Sequence, residues 1–161
     1  MDGKELLIGT YRNQASMLQM HLGDFSEADM LVRPVENANH VAWQLGHLVN
    51  STTNLINSVS PGAMPPLEPA FAERHGYNGT KLNDGFESKE QLLRRFNAVN
   101  DAAIKWLENL SDVGAARGTP DKIKGFAPTV ASLAYALPQH AMMHVGQIQV
   151  IRRKLGKPIL F

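Results

Sequence analysis

The chain has 161 residues, enough for one domain with a sizeable core, and its 16 Lys plus Arg against 15 Asp plus Glu leave a net charge of +1. That near balance gives no reason to expect nucleic acid or an anionic membrane as a partner. With no cysteine there can be no disulfide, thiolate ligand or cysteine nucleophile, so any metal chemistry must use imidazole or oxygen donors.

Met1-Asp2-Gly3-Lys4-Glu5 lacks the basic-then-apolar order of a signal peptide, and no apolar run approaches the roughly 20 residues that span a bilayer. The expectation is a soluble, cytoplasmic protein forming a single domain over residues 1–161. Leu7, Tyr11, Ala15, Leu18, Leu22 and Phe25 step by three or four and predict a first amphipathic helix over residues 3–22, continuing beyond it. His21, near its end, reads as solvated. A turn region from Ser26 to Asn39 leads to a second helix, striped by Val41, Leu45, Leu48, Thr52, Leu55 and Val59 and stopped at Pro61-Gly62.

Residues 61–87 hold Pro65, Pro66, Pro69, Gly76, Gly79 and Gly85 without sustained periodicity, too long a stretch for a tight link between antiparallel neighbours. It reads as a crossover along a bundle. Ser88 with Gln91 forms a capping-box pattern before a third helix carrying Leu92, Phe96, Val99, Ala103, Trp106 and Leu110. After a loop from Ser111 to Pro128, Thr129 caps a fourth helix with Leu133, Leu137, His140, His144, Ile148, Ile151 and Leu155 on one stripe, ending at Gly156 with Pro158 beyond. Inside it, Pro138 removes one backbone hydrogen bond and crowds the Ala134 carbonyl, so a bend is expected just before His140. The predicted fold is all-α, a four-helix bundle with a long crossover between helices 2 and 3.

The spacing His140-Ala-Met-Met-His144 puts two imidazoles about 40° apart and about 6 Å apart along one helix, so both can reach one ion. Two neutral rings on an apolar stripe must find partners or carry a desolvation cost of about 1–3 kcal/mol each, and a shared cation would satisfy both. Gln147 is the nearest polar group on that side, able to hold a ring, a water or a substrate, or else a surface amide. His47 lies roughly 120° from the centre of its helix's apolar stripe, on a face shared with His40, Gln44, Ser51 and Asn54. That face is either a solvated helix side or a polar wall lining a cleft. His40 is too far along the helix to share an ion with His47 easily and reads as a surface residue, as does His75 in the crossover. Trp43 could flank a pocket or anchor packing, and Trp106 reads as packing alone. Arg152-Arg153-Lys154 with Lys157 reads as a solvated cationic helix end complementing the dipole.

Asn39-His-Val-Ala-Trp-Gln-Leu-Gly-His47-Leu, followed by His140-x-x-x-His144-x-Gly146-Gln147, Arg152 and Leu155-Gly156-Lys-Pro158, resembles the DinB/YfiT-like family over nearly the whole chain. The resemblance implies a four-helix bundle holding a divalent metal through one histidine of the second helix and the H-x-x-x-H pair of the last. That assigns His47, His140 and His144 as ligands. Three histidines leave a coordination position open, suited to activating water (a hydrolase) or an exogenous low-molecular-weight thiol (a transferase). Zinc or nickel is the leading cofactor, with iron, cobalt or manganese as alternatives. No general base can be named, so the catalytic residues stay unassigned.

The competing readings are a catalytically silent metal-binding or interaction protein on the same bundle, and an apo bundle with packed histidines. The expected partner is a small-molecule substrate. The resemblance also implies a homodimer, for which Pro65, Leu67 and Phe71 are candidate interface residues unless they cover their own bundle.

Overall fold

The structure, a computed structural model, describes residues 3–160. The first helix, α1 (Gly3–Leu22), ends as expected, and the continuation beyond it is a single 3-10 turn at Asp29–Leu31. There the Ser26 and Asp29 side chains cap each other's backbone N–H groups. The second helix, α2 (Val41–Val59), starts at an unusual cap: His40 Nδ1 accepts from the Trp43 N–H at 3.2 Å. The crossover carries a short helix α3 (Pro69–Arg74) and a 3-10 turn at Tyr77–Lys81. Next comes α4 (Lys89–Glu108), opened by the Ser88–Gln91 capping box. Short helices α5 (Asp112–Ala116) and α6 (Asp121–Lys124) lead to α7 (Val130–Lys154), opened by a capping box between Thr129 and Ser132. Gly156 follows with φ 67°, the left-handed conformation a glycine adopts without strain.

Side-chain pairs give the direction of each long helix. Gln14 donates to Asn100 and Gln19 to Asn97, while Lys4 reaches the Leu110 carbonyl, so α1 and α4 are antiparallel. Tyr11 meets Ala134 and His21 meets Arg152, so α1 and α7 are parallel. His40 at the start of α2 touches Leu82 and Phe86 just before α4, and Ser60 at its end meets Trp106. Hence α2 and α4 are also parallel. Around the bundle the order is α1, α4, α2, α7. A parallel neighbour cannot be reached by a tight turn, which is why residues 60–88 must travel the length of the bundle.

The core is aliphatic, with Leu18, Leu22, Leu45, Ile56, Leu92, Leu133, Ile148 and Ile151 all fully buried. Phe71 of the crossover packs into that core, so it covers its own bundle, whereas Pro65 stays exposed. Of the helix-end cations, Arg153 and Lys154 are exposed as expected, while Arg152 and the half-buried Lys157 are a correction to the solvated reading. Arg152 is 1% exposed, and its guanidinium donates to the His21 and Pro158 carbonyls and to both carboxylate oxygens of Asp24. Lys157 adds bonds to the Asp24 carbonyl and to Asp29. The Arg152 hydrogen bond holds the Asp24 carboxyl below its usual range. His21 is likewise buried, with Nδ1 2.8 Å from the Met17 carbonyl. Helix polarity alone favours cations at this end, but the residues past Gly156 fold back over Arg152 and bury it.

Pro138 sits inside α7 as expected and cannot donate to Ala134. The missing donor is replaced: the Tyr11 hydroxyl, fully buried on α1, donates to the Ala134 carbonyl at 2.9 Å. Burial raises the Tyr11 pKa, so the phenol keeps its proton. Tyr11→Phe should therefore leave a buried carbonyl unpaired and cost about 1–3 kcal/mol in urea denaturation. In a Pro138→Ala background, where the substituted residue supplies the helix N–H, the same change should cost clearly less; equal costs in both backgrounds would refute the compensation.

Candidate metal centre

The middle of α7 and the N-terminal half of α2 run antiparallel and bring three imidazoles together. The ligand nitrogens of His47, His140 and His144 all lie within 4.8 Å of one another. His140 and His144 approach most closely, Nε2 to Nε2 at 3.2 Å, with ring centroids 4.9 Å apart. The His47 ring lies 5.2 Å from that of His140 and 5.5 Å from that of His144. Nitrogens bound tetrahedrally at about 2.0–2.1 Å from one ion would be about 3.4 Å apart, so one pair already has the required separation.

His47 points into this cluster because the polar side of α2 is covered. Nearly every residue from Val41 to Val49 is buried, irrespective of its place on the helical wheel, since α7 and the crossover occupy the two sides that the apolar stripe leaves open. His75 makes the cover fit. Its ring lies directly over Gly46, where an added Cβ would stand 2.0 Å from Nδ1. From there Nδ1 donates to the Trp43 carbonyl at 3.3 Å, and the ring packs between Phe71 and Phe86. Trp43 in turn stacks on His47, centroids 4.6 Å apart and planes 10° from parallel, while its indole N–H donates to the Gly76 carbonyl. Arg33 ties the adjoining loops together by donating to the carbonyls of Ala38, Thr80 and Leu82 and to the Asn83 side chain.

Two other histidine assignments are corrected by these contacts. His40 is fully buried as a helix cap, its Nε2 donating to the Leu82 carbonyl at 3.0 Å and its ring meeting Phe86 edge-on. His75 is fully buried too. Neither is a surface residue, because both are enclosed by crossover segments that show no helical period. Gln147 is exposed and approaches His144 from outside, where it partly favours the charged ring. The residue holding His144 in place is Gln44, whose Oε1 lies 3.0 Å from Nδ1. Its position on the His47 face was the available signal; nothing in the sequence marked the crossover histidine as its neighbour.

Desolvation dominates the electrostatics. Burial, with a smaller contribution from His47, lowers the His140 pKa to about 4; burial, then His140 and His47, lowers that of His144 to about 3. Burial also lowers His47, against a partial opposing pull from the His75 carbonyl, although its Nδ1 is buried and completes no hydrogen bond. All three rings are therefore neutral at pH 7, each offering a lone pair to a cation. The donor set fits a divalent ion with affinity for imidazole. A surface groove of about 740 Å³ between α1 and α4 lies on the opposite edge of the bundle and includes residues such as Arg12, Gln19 and Asn97. The grouped donors, not that groove, mark the candidate centre.

The sequence model of the DinB superfamily matches residues 10–148. No curated protein sequence matches the chain. Among solved structures, a conserved protein from Enterococcus faecalis superposes with TM-score 0.77 at 16% identity, covering 98% of this chain and 99% of its own. YfiT from Bacillus subtilis, described as a probable metal-dependent hydrolase with an unusual four-helix bundle topology, superposes with TM-score 0.68 at 15% identity, covering 98% and 91%.

Two measurements check this arrangement. Gly46→Ala must displace a buried ring, and we expect a loss of about 1–3 kcal/mol in denaturation with chelated protein; an unchanged midpoint would show that His75 does not seat there. For pH, burial lowers His75 as well, to about 4, and also lowers His40, while unfolded histidines titrate near 6.5. Between those values the unfolded chain binds more protons than the folded one, so stability should fall as pH drops from 7 toward 4. A chelated protein whose urea midpoint is flat from pH 7 to 5 would contradict the burial of these rings.

Proposed function

Given that the chain belongs to the DinB superfamily, we propose that it is a metal-dependent enzyme in which His47, His140 and His144 hold one divalent ion, zinc or nickel, and in which the reaction is hydrolysis of a small molecule. The observation carrying this reading is the convergence of three neutral imidazoles from two helices, with no further histidine, aspartate or glutamate joining the group among the described residues. A structural zinc site is usually closed by four protein ligands, often cysteine, and this chain has none to offer. When bound, such an ion supplies Lewis acidity at its open position and lowers the pKa of a coordinated water or thiol.

The protein's own part is to present and to protect. His140 and His144 supply nitrogens from one helix turn, and His47 supplies the third from across the bundle. Trp43, stacked on His47, limits that ring's rotation. The crossover residues over Gly46 keep bulk water from the inner side of α2. A low-molecular-weight thiol as the activated nucleophile is the second reading of the same site, and the description of YfiT as a probable metal-dependent hydrolase is what supports hydrolysis as the first.

The test starts with protein purified without a nickel column. Elemental analysis should find about one divalent ion per chain, and His144→Ala should abolish it. Loaded with zinc or nickel, the protein should turn over members of an ester, amide and lactone panel, and His144→Ala should lower that rate at least tenfold. Thiol-dependent conjugation of an electrophile panel without hydrolysis would select the thiol reading. An ion that raises the melting temperature without supporting turnover on either panel would leave a silent metal-binding bundle. No ion, and no response of melting to zinc, nickel or chelator, would overturn the metal reading itself.

A further inference from the structure

Of the three clustered rings, His144 is the one whose proton position the protein dictates through a side chain. Gln44 is 1% exposed, and both ends of its amide are engaged. Its Nε2 donates to the Asn39 backbone carbonyl at 2.7 Å, and its Oε1 lies 3.0 Å from His144 Nδ1. A backbone carbonyl can only accept, so the amide nitrogen must face Asn39 and the oxygen must face the imidazole. An amide oxygen can also only accept, so His144 Nδ1 must carry the proton. On that basis we propose that Gln44 is a positioning residue, which fixes His144 as its Nδ1–H tautomer and thereby presents the Nε2 lone pair to the three-histidine cluster. The inference rests on the metal reading for its function but not for its tautomer.

The geometry then assigns the pair on α7 as well. His144 Nε2, having no hydrogen, accepts at 3.2 Å from His140 Nε2, which must carry the proton in the metal-free protein. Taking up a cation thus requires His140 to move its proton to Nδ1, while His144 changes nothing. Gln44 is in turn aimed from outside the site: the Asn39 carbonyl sits just past the loop whose Ala38 carbonyl is held by Arg33. A chain of fixed donors and acceptors therefore runs from a surface loop to a ring nitrogen. Partners of this kind commonly govern metal affinity roughly 10–100-fold without touching the ion.

Two readouts test the assignment. In metal-free protein at pH 7.5, nitrogen-15 NMR of labelled histidine should show His144 as the Nδ1–H tautomer and His140 as Nε2–H; His144 found as Nε2–H, or as an even mixture, overturns the proposal. Gln44→Met keeps the buried volume and removes the acceptor, and Gln44→Glu keeps an acceptor at the same place. Cobalt(II) titration read by its visible absorption, with zinc competition, should show affinity falling roughly 10–100-fold in Gln44→Met and recovering at least in part in Gln44→Glu. A packing role predicts the opposite order, with Met tolerated and Glu damaging, and that order overturns the proposal. If Gln44→Glu does not fold, wild type against Gln44→Met still decides, since equal affinities overturn it. Wild-type protein that binds neither cobalt nor zinc defeats the metal reading, and the tautomer measurement then judges Gln44 separately.

Discussion

A polar side of a helix is buried in this protein because a histidine from a distant loop rests where residue 46 has no side chain. The contact between His75 and Gly46 brings the crossover down onto α2, and most of the site's properties follow from that approach. With the crossover seated, Trp43 has a carbonyl for its indole and a flat partner in His47, and His40 gains an acceptor at Leu82. Without it, the face carrying His40, Gln44 and His47 would meet water. The two imidazoles would then titrate as exposed histidines do, near 6.5, and a protonated His47 would offer no lone pair to a cation under mildly acidic conditions.

The remaining helices buttress the site without contributing to it. α1 supplies the hydroxyl that satisfies the Ala134 carbonyl freed by Pro138, nearly two turns before His140. It also supplies the His21 carbonyl, and the turn just after it supplies the Asp24 carboxylate, which together receive Arg152 two turns after His144. The histidine-bearing stretch of α7 is thus pinned on either side, to α1 and to the turn that follows it, by polar contacts made inside or at the edge of the core. Fixed donors are worth more in such surroundings than at a wet surface, because no water competes for them and leaving them unpaired is costly.

The fold is most legible in the sequence where local signals act alone. The four long helices, both capping patterns, the stop at Gly156 and the need for a crossover were legible because caps, prolines and apolar spacing act over a few residues. The pair on α7 was legible for the same reason, being a spacing on one helix. His47 was not decidable from the wheel, since its 120° offset from the apolar stripe means solvent in a simple bundle and interior in one whose crossover lies on that side. Resemblance to a family, not geometry, selected it. His21, His40, His75 and Arg152 were all placed at the surface, and all are buried. Each is enclosed by a segment lacking periodicity: the turn after α1, the crossover, or the residues past Gly156. Such segments disclose their packing only through tertiary contacts, which is also why Gln44 stood out less than the exposed Gln147.

The wide sequence separation between His47 and the pair at His140 and His144 bears on how the protein matures. Nascent α2 can emerge and gather the crossover around it, but its imidazole faces an empty seat until α7 arrives, some ninety residues of synthesis later. The last long helix closes both the hydrophobic interior and the histidine cluster in one docking event. A complete histidine cluster is therefore a certificate of finished folding, since no chain lacking its last long helix can assemble one.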